Sequence, residues 1–474
     1  MRIVFISEVD VHGSFKNLGV MCLSAMLKAH RHQVRLFHAE DPNLEREVLT
    51  FAPQILAYSV TTGTEAIYLE LNRRLRGVLP AGVHSLFGGP HPTFFPELVH
   101  EPGVDMICRG EGEEALLELV ERMEAGRDWR DVANFWFKDE AGVIQNPCRP
   151  LTADLDELPF PDRRIYKHIP NVIGNIEFVM ASRGCPFDCS YCFNHQLREL
   201  YGKNLMRVRS VDNVIAELAS IRYYNKNINF FFFIDDLFPV KTEWLREFKQ
   251  KYLELINVPF GVNCRANLVK DENVRLLKEA GCHSITMAIE SGNDATRNDI
   301  LCRAMSREAI VQAAATVKRH GIFLLTQNIL GNPVPDSYRD ACDSLDLNVE
   351  VQADFAWSSL LNPYYGTKIW QYCLDKGYVD ESVKFPPSYY ADTPLRLADK
   401  ERIRNLQALF ALMVGFPFLA RHRDVLTRLP LLRLYLLLGR AWKGYKYMER
   451  HAMKGLGPWR ILGLACKYML RRGW

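Results

Sequence analysis

The chain of 474 residues has no long apolar run. A spanning helix needs roughly 18 consecutive apolar residues. The nearest approach, Leu406 to Ala420, is broken by Gln407 and Pro417. A secretory leader is missing from the reading as well. Met1-Arg2-Ile3-Val4-Phe5-Ile6-Ser7 soon turns polar, and no cleavage site follows it. The expectation is a cytoplasmic protein, soluble or at a membrane surface. Its 12 cysteines are then reduced, so a cluster of them suggests metal and not disulfide. Charge of one sign is scarce too: a net of +3 gives no reason to expect a nucleic-acid partner. With 48% hydrophobic and 24% charged residues, 29 Gly and 24 Pro, the composition excludes disorder, collagen and coiled coil. No Gly-x-Gly-x-x-Gly follows the first strand-like segment, which disfavours a dinucleotide there.

What is present is alternation. Arg2–Ser7, Val34–Phe37, Ile55–Ser59 and His84–Phe87 read as strands. Leu18–Ala29, Ala66–Val78 and Glu113–Ala125 read as helices, so the N-terminal part is expected to be a doubly wound parallel sheet of Rossmann type. A Pro-rich linker follows. A second series then places strands at Glu177–Ala181, Asn229–Ile234, Phe260–Cys264, His283–Ile289, Phe323–Ile329 and Asp354–Leu360, with helices between them. Six β/α units predict a partial barrel of TIM type, with chemistry at the C-terminal ends of its strands. The expected organisation of this α/β protein is 1–145, a linker 146–175, a barrel 176–375, and a helical region 376–474. That last part is basic: from Lys400 onward there are 16 Lys and Arg against 3 Asp and Glu, a net of +13, which leaves −10 for the rest.

The strongest local pattern is Cys185-x3-Cys189-x2-Cys192, just after the first strand of the second series. Thiolates are the standard ligands of iron–sulfur clusters. Three of them can hold three irons of a 4Fe-4S cube and leave the fourth iron open for chemistry. Zinc sites generally use four ligands. His195 offers a fourth, so the triplet alone leaves zinc open. Cys264, Cys282 and Cys302 read as buried small apolar residues.

The triplet, with aromatic Tyr191 before the third Cys, resembles the signature of radical S-adenosylmethionine (SAM) enzymes. The resemblance implies a 4Fe-4S cluster on Cys185, Cys189 and Cys192, SAM on its open iron, and an external one-electron reductant of flavodoxin or ferredoxin type. Reduction then cleaves SAM to methionine and a 5′-deoxyadenosyl radical. Other segments are similar to the family. Glu290-Ser291-Gly292 ends a strand, Gly331-Asn332-Pro333 follows the next, Asp235 follows the second, and Arg265 ends the third. Tyr191, Asp235, Arg265, Glu290, Ser291 and Gly331 are the SAM-site candidates that follow. Their plain reading is loop carboxylates and capping groups.

In the N-terminal part, Ser59-Val60-Thr61-Thr62-Gly63 and Gly88-Gly89-Pro90-His91-Pro92-Thr93 follow two strands. Small and hydroxyl residues at strand ends let a large flat ligand approach the backbone. The pattern resembles the cobalamin-binding domain that precedes many radical SAM barrels, and the likeness spans about residues 1–375. It implies cobalamin near Ser59, Thr61, Gly63, Gly88, Gly89 and His91. The sequence departs from Asp-x-His-x-x-Gly, because Asp10-Val11-His12-Gly13-Ser14-Phe15 lacks the last Gly. His12 reads as a surface-loop residue before it reads as a cobalt ligand, and a domain that kept the fold without the cofactor stays open.

The function these resemblances imply is methylation of an unactivated carbon in a small-molecule or lipid substrate. The 5′-deoxyadenosyl radical activates the carbon, and cobalamin carries the methyl group. A radical cyclase or oxygenating enzyme on the same scaffold, and a non-catalytic cobalamin or iron–sulfur sensor, are the alternatives. No general base is assigned. In the tail, Leu406–Ala420 and Leu429–Trp442 are apolar runs flanked by Arg and Lys, with Trp459 and Trp474 beyond them. This pattern suits either an interfacial helix or a helical cap on the barrel.

Overall fold

The computed structural model describes residues 1–7, 16–168, 175–202, 205–386 and 392–450. His12 and the far tail, including Trp459 and Trp474, lie outside these residues. The chain divides into two compact units, Met1–Gly174 with Gln196–Leu205, and Asn175–His195 with Met206–Trp474.

The first unit carries a seven-stranded sheet made of β1 Arg2–Ser7, β2 Gln33–His38, β3 Ile55–Ser59, β4 His84–Gly88, β5 Met106–Cys108, β6 Phe135–Asp139 and β7 Gly142–Gln145. Their spatial order is β2-β1-β3-β4-β5-β6-β7. β1 to β5 run parallel, whereas β6 and β7 add an antiparallel edge. Ile3 to Ile6 are all at most 2% exposed, the continuous apolar run of a strand covered on both faces. Helices at Leu18–Ala29, Leu44–Phe51, Glu65–Arg76 and Glu113–Glu124 supply that cover. The first is capped by Asn17, whose side chain accepts from the Val20 N–H. The reversal in strand order falls between β1 and β3, the position where such sheets open a crevice at the carboxyl ends of their strands.

The second unit is a curled parallel sheet. β8 Ile176–Val179 is followed by the short antiparallel pair β9 Ser182–Arg183 and β10 Arg207–Val208, which brackets the cysteine loop. Then come β11 Phe230–Phe233, β12 Phe260–Cys264, β13 Cys282–Glu290, β14 Phe323–Leu330 and β15 Phe355–Leu360. β8, β11, β12, β13, β14 and β15 lie side by side in chain order, all parallel. These are the six strands expected of a partial barrel. The four Phe of β11 are all buried, the mark of a strand inside an α/β core.

A helical cap closes this unit. The helix Lys400–Gly415 buries Ile403, Leu406, Leu409, Phe410 and Met413, and Gln407 donates to the Ser358 carbonyl of β15 at 3.1 Å. It ends before Pro417, whose missing N–H and fixed φ stop an α-helix. The apolar run at 406–420 therefore spans two elements and not one. The helix Leu432–Arg450 crosses back over it, with Trp442 Nε1 donating to the Ala411 carbonyl at 2.9 Å. Among the described residues no helix is long and apolar enough to cross a membrane.

Candidate active site

The cysteine loop leaves the carboxyl end of β8 and is anchored from below by Asp235, just past β11. Asp235 Oδ1 accepts from the Ala181 N–H at 2.9 Å, from the Ser182 N–H, and from the Ser182 hydroxyl at 2.6 Å. Asp235 is fully buried, and its Oδ2 has no partner. Burial pushes its carboxyl up to about 7. One Asp235 oxygen is therefore spent on the backbone that launches the loop.

Above it, Cys189 is buried and Cys185 and Cys192 are half-buried. The loop is tied to the segment after β13: Ser190 Oγ donates to the Ile300 carbonyl at 2.6 Å and Ser190 N to the Leu301 carbonyl at 3.2 Å. His195 points its Nδ1 at the Cys192 carbonyl, 2.6 Å away, so that nitrogen serves the loop backbone. Among the described residues no three His, Cys, Asp or Glu side chains gather as around one metal ion. The separate irons of a cube call for ligands set further apart, one to each corner.

The donor chemistry fits a cluster. Burial raises the Cys185 thiol and pushes that of Cys192 up to about 12, so thiolates there need positive charge close by. Two guanidiniums face Cys189 Sγ, Arg265 Nη1 at 3.5 Å and Arg303 Nη1 at 3.6 Å. Arg265 also lies over the Phe187 ring, 3.7 Å from its centroid, and donates to the Arg303 carbonyl. Burial, then the neighbouring Arg303, lower the Arg265 pKa.

Arg303 is the hub. Its Nη1 donates to Tyr191 Oη at 2.9 Å, and Nη2 donates to the Ala288 carbonyl at 2.6 Å. Tyr191 Oη in turn donates to Glu290 Oε1 at 2.9 Å. Glu290 is buried at a positive φ of 70°, beside a register shift between β13 and β14, and burial raises its carboxyl pKa. Burial would lower the Arg303 pKa, but Tyr191, Glu290 and Cys189 outweigh it and raise it. Arg303 Nε is buried with no partner, as are Asn332 Oδ1 after β14 and Asn362 Oδ1 after β15. A buried cation with a spare donor after β13, and spare amide acceptors after β14 and β15, fit a ligand carrying a carboxylate, an amino group and a nucleobase. SAM is such a ligand.

Five of the SAM-site candidates have places here. Tyr191, Arg265 and Glu290 converge on Arg303. Ser291 is fully buried and donates to Asp340 Oδ1 at 2.9 Å, while Asn332 Nδ2 donates to Asp340 Oδ2 at 2.8 Å. Asp340, on the helix Ser337–Glu350, thus joins Ser291 to the turn at Gly331, where φ is +74°. No sequence signal marks Arg303 itself. It sits in Leu301-Cys302-Arg303-Ala304, with no motif around it. Cys302 corrects an expectation: it is exposed, not buried. Its φ of 53° puts it in a left-handed turn of a loop and not in the core.

In the first unit, the loops after β3 and β4 meet. Val60 N donates to the Gly88 carbonyl at 2.8 Å and His91 N to the Val60 carbonyl at 2.9 Å. Gly89 has φ +95°, and a Cβ there would stand 3.0 Å from both Val60 N and Val60 O. The close approach of these loops therefore requires glycine. Ser59 Oγ accepts from Asn17 Nδ2 at 3.0 Å, and Thr61 Oγ1 lies 3.3 Å from Thr64 Oγ1. Gly63, at φ +97°, donates its N–H to Glu65, and Thr62 Oγ1 lies 3.1 Å from His91 Nδ1. Burial lowers the His91 pKa. These small, partly exposed residues stand at adjacent strand ends, a lining that suits cobalamin held by shape and backbone groups.

The fold and the cysteine loop define a radical SAM protein. A model of the radical SAM superfamily matches residues 179–345, and one of the B12 binding domain matches residues 9–120. The chain thus carries a radical SAM domain with a B12-binding domain ahead of it. It is 29% identical over 369 residues to an uncharacterized methyltransferase of Pyrococcus horikoshii, covering 75% of this chain and 78% of that one. It is 26% identical to an anaerobic magnesium-protoporphyrin IX monomethyl ester cyclase of Rubrivivax gelatinosus, covering 70% and 62%. A solved cobalamin-dependent SAM radical enzyme, OxsB with aqua-cobalamin and SAM bound, shares the fold with a TM-score of 0.69 at 16% identity, over 99% of this chain and 79% of that one. The two domains call for a 4Fe-4S cluster, SAM and cobalamin.

Proposed function

We propose that this protein is a cobalamin-dependent radical SAM C-methyltransferase acting on an unactivated carbon of a small molecule or lipid. The observation that carries the reading is the pairing of the Cys185, Cys189 and Cys192 loop, faced by Arg265 and Arg303, with a B12-binding domain. When bound, the cluster, SAM and cobalamin supply radical hydrogen abstraction and a transferable methyl group. An sp3 carbon offers no lone pair, so polar methyl transfer fails there and a radical route is required.

The chain's own residues bind and orient. The three cysteines hold the cluster and leave one iron open. Arg303 and Arg265 receive the SAM carboxylate beside Cys189, while the Tyr191–Glu290 pair fixes the Arg303 guanidinium. Ser59, Thr61, Gly63, Gly88, Gly89 and His91 line the cobalamin crevice. The electron comes from an external one-electron donor of flavodoxin or ferredoxin type. The protein works in the cytoplasm, with its basic C-terminal helices at a membrane surface.

The test is anaerobic reconstitution, quantification of iron, sulfide and cobalt, and mass spectrometry of SAM products after reduction. Wild type should yield 5′-deoxyadenosine, S-adenosylhomocysteine and retained cobalt. Any one of C185A, C189A and C192A should abolish 5′-deoxyadenosine. Wild-type turnover in all three variants would remove the assignment. The similarity to a cyclase supports a second reading on the same scaffold, which predicts 5′-deoxyadenosine without S-adenosylhomocysteine.

A further inference from the structure

Half of the exposed large apolar side chains among the described residues fall within 30 residues. Nine of eighteen lie between Phe416 and Tyr445. On the helix Leu432–Arg450, Leu434, Leu437, Leu438 and Tyr445 are 45%, 52%, 43% and 45% exposed. The spacings of three, four and eleven residues put them on one side, opposite the side where Tyr435 and Gly439 are buried. A surface helix normally turns one apolar face to the core and a polar face outward. This helix turns an apolar face each way.

An aromatic row continues that outward face. Phe418 stands 6.2 Å from Phe416, Phe416 stands 4.9 Å from Trp442, and Trp442 stands 5.6 Å from Tyr445. Phe418 is 60% exposed.

The unpaired charges around it are of one sign. Arg421, Arg428, Arg433 and Arg440 are exposed and make no ion pair or side-chain hydrogen bond among the described residues. The two acids of this stretch are engaged: Asp424 pairs with Arg402 at 3.1 Å, and Glu449 pairs with Lys446 at 2.7 Å. Arg433 and Arg440 lie seven residues apart on one flank of the leucine stripe.

We infer that the surface from Phe416 to Tyr445 docks on an anionic phospholipid membrane, the leucines and aromatics entering the headgroup boundary and the four arginines meeting lipid phosphates. The charge pattern selects this partner: an apolar face rimmed by unpaired cations complements an anionic bilayer. A face meant for a second copy of the chain would bring these like charges together. The inference develops the membrane-surface location proposed above and does not depend on methyl transfer.

The test is flotation of the reconstituted full-length protein with phosphatidylglycerol–phosphatidylcholine vesicles and with phosphatidylcholine alone, at low and high salt. Each basic residue at an anionic leaflet is worth about fivefold in partitioning. R433Q/R440Q should therefore bind anionic vesicles about 25-fold more weakly at low salt. L437S/L438S should lose the fraction that resists salt, because apolar insertion is unscreened. Unchanged far-UV circular dichroism and iron content show that the variants are folded. Cleavage of SAM, measured on the same preparations without vesicles, separates failure of docking from failure of the enzyme reading. Absence of wild-type flotation, or equal flotation of all variants, overturns the inference. So does a dimer in light scattering that L437S/L438S dissolves without vesicle binding, which gives the face to a second copy. So does binding that emerges only on truncation after Arg450, which gives the face to residues 451–474.

Discussion

Asp235 links the stability of the barrel to the loop that carries the cysteines. Its Oδ1 takes three hydrogen bonds, from Ala181 N, Ser182 N and Ser182 Oγ. In D235A the hydroxyl can still donate to the Leu237 carbonyl, 3.0 Å away, but the two backbone N–H groups lose their acceptor. A buried donor left unsatisfied costs about 1–3 kcal/mol, so the pair costs about 2–6 kcal/mol. D235N keeps an acceptor oxygen in place, and its cost is smaller. Wild type and D235N also separate in pH. The Asp235 carboxyl is raised to about 7 in the folded protein from an ordinary 3.8. The unfolded chain therefore ionises first as pH rises. The stability contributed by the protonated carboxyl is complete below about pH 4 and is lost as pH climbs through 7. Between pH 5 and 8 the loss is about 3 kcal/mol at 1.36 kcal/mol per pH unit. Asn carries no such dependence, so D235N should gain on wild type by that amount across the interval. Thermal unfolding at several pH values, with iron retention followed in parallel, measures both effects. Parallel pH profiles for wild type and D235N, or a D235A protein as stable as wild type, would refute the reasoning.

Gly89→Ala forces a side chain to φ +95° and sets its Cβ 3.0 Å from the Val60 backbone, so cobalt retained after gel filtration should fall. Gly88→Ala, whose Cβ meets Cys108 Cβ at 3.8 Å, should retain cobalt as wild type does. Arg303→Met removes the donor to Tyr191 and a cation beside Glu290. A hydrogen bond to a charged group is worth about 1.5–3 kcal/mol, so SAM affinity should drop at least tenfold, read by equilibrium binding, with a changed spectrum of the reduced cluster in electron paramagnetic resonance. Gly292→Ala would place a Cβ 2.1 Å from the Asp343 carbonyl oxygen, and this overpacking should lower stability by about 1–3 kcal/mol or more, seen as a lower melting temperature.

The fold class and the cluster loop were legible in the amino-acid order because their signals are local. Leu18–Ala29 and Ile55–Ser59 could be read to the residue, since caps and apolar periodicity act within one turn or one strand. Cys185, Cys189 and Cys192 announce themselves because a cluster needs thiolates at a fixed short spacing. The antiparallel edge formed by Phe135–Asp139 and Gly142–Gln145 was not legible: short strands acquire their identity from the neighbour they pair with. Arg303 shows the same limit at the site. Nothing in its own stretch of chain marks it, yet it lies beside Cys189, 114 residues away, and donates to Tyr191, 112 residues away. Asp235 reads as a loop carboxylate until Ala181 and Ser182 are seen to donate to it. Likewise the composition of the tail allowed both a barrel cap and an interfacial helix. Packing divides the roles: Lys400–Gly415 is buried as the cap, and Leu432–Arg450 turns one apolar face outward. Periodicity says that a face is apolar, and only the packing of distant segments decides which face is covered.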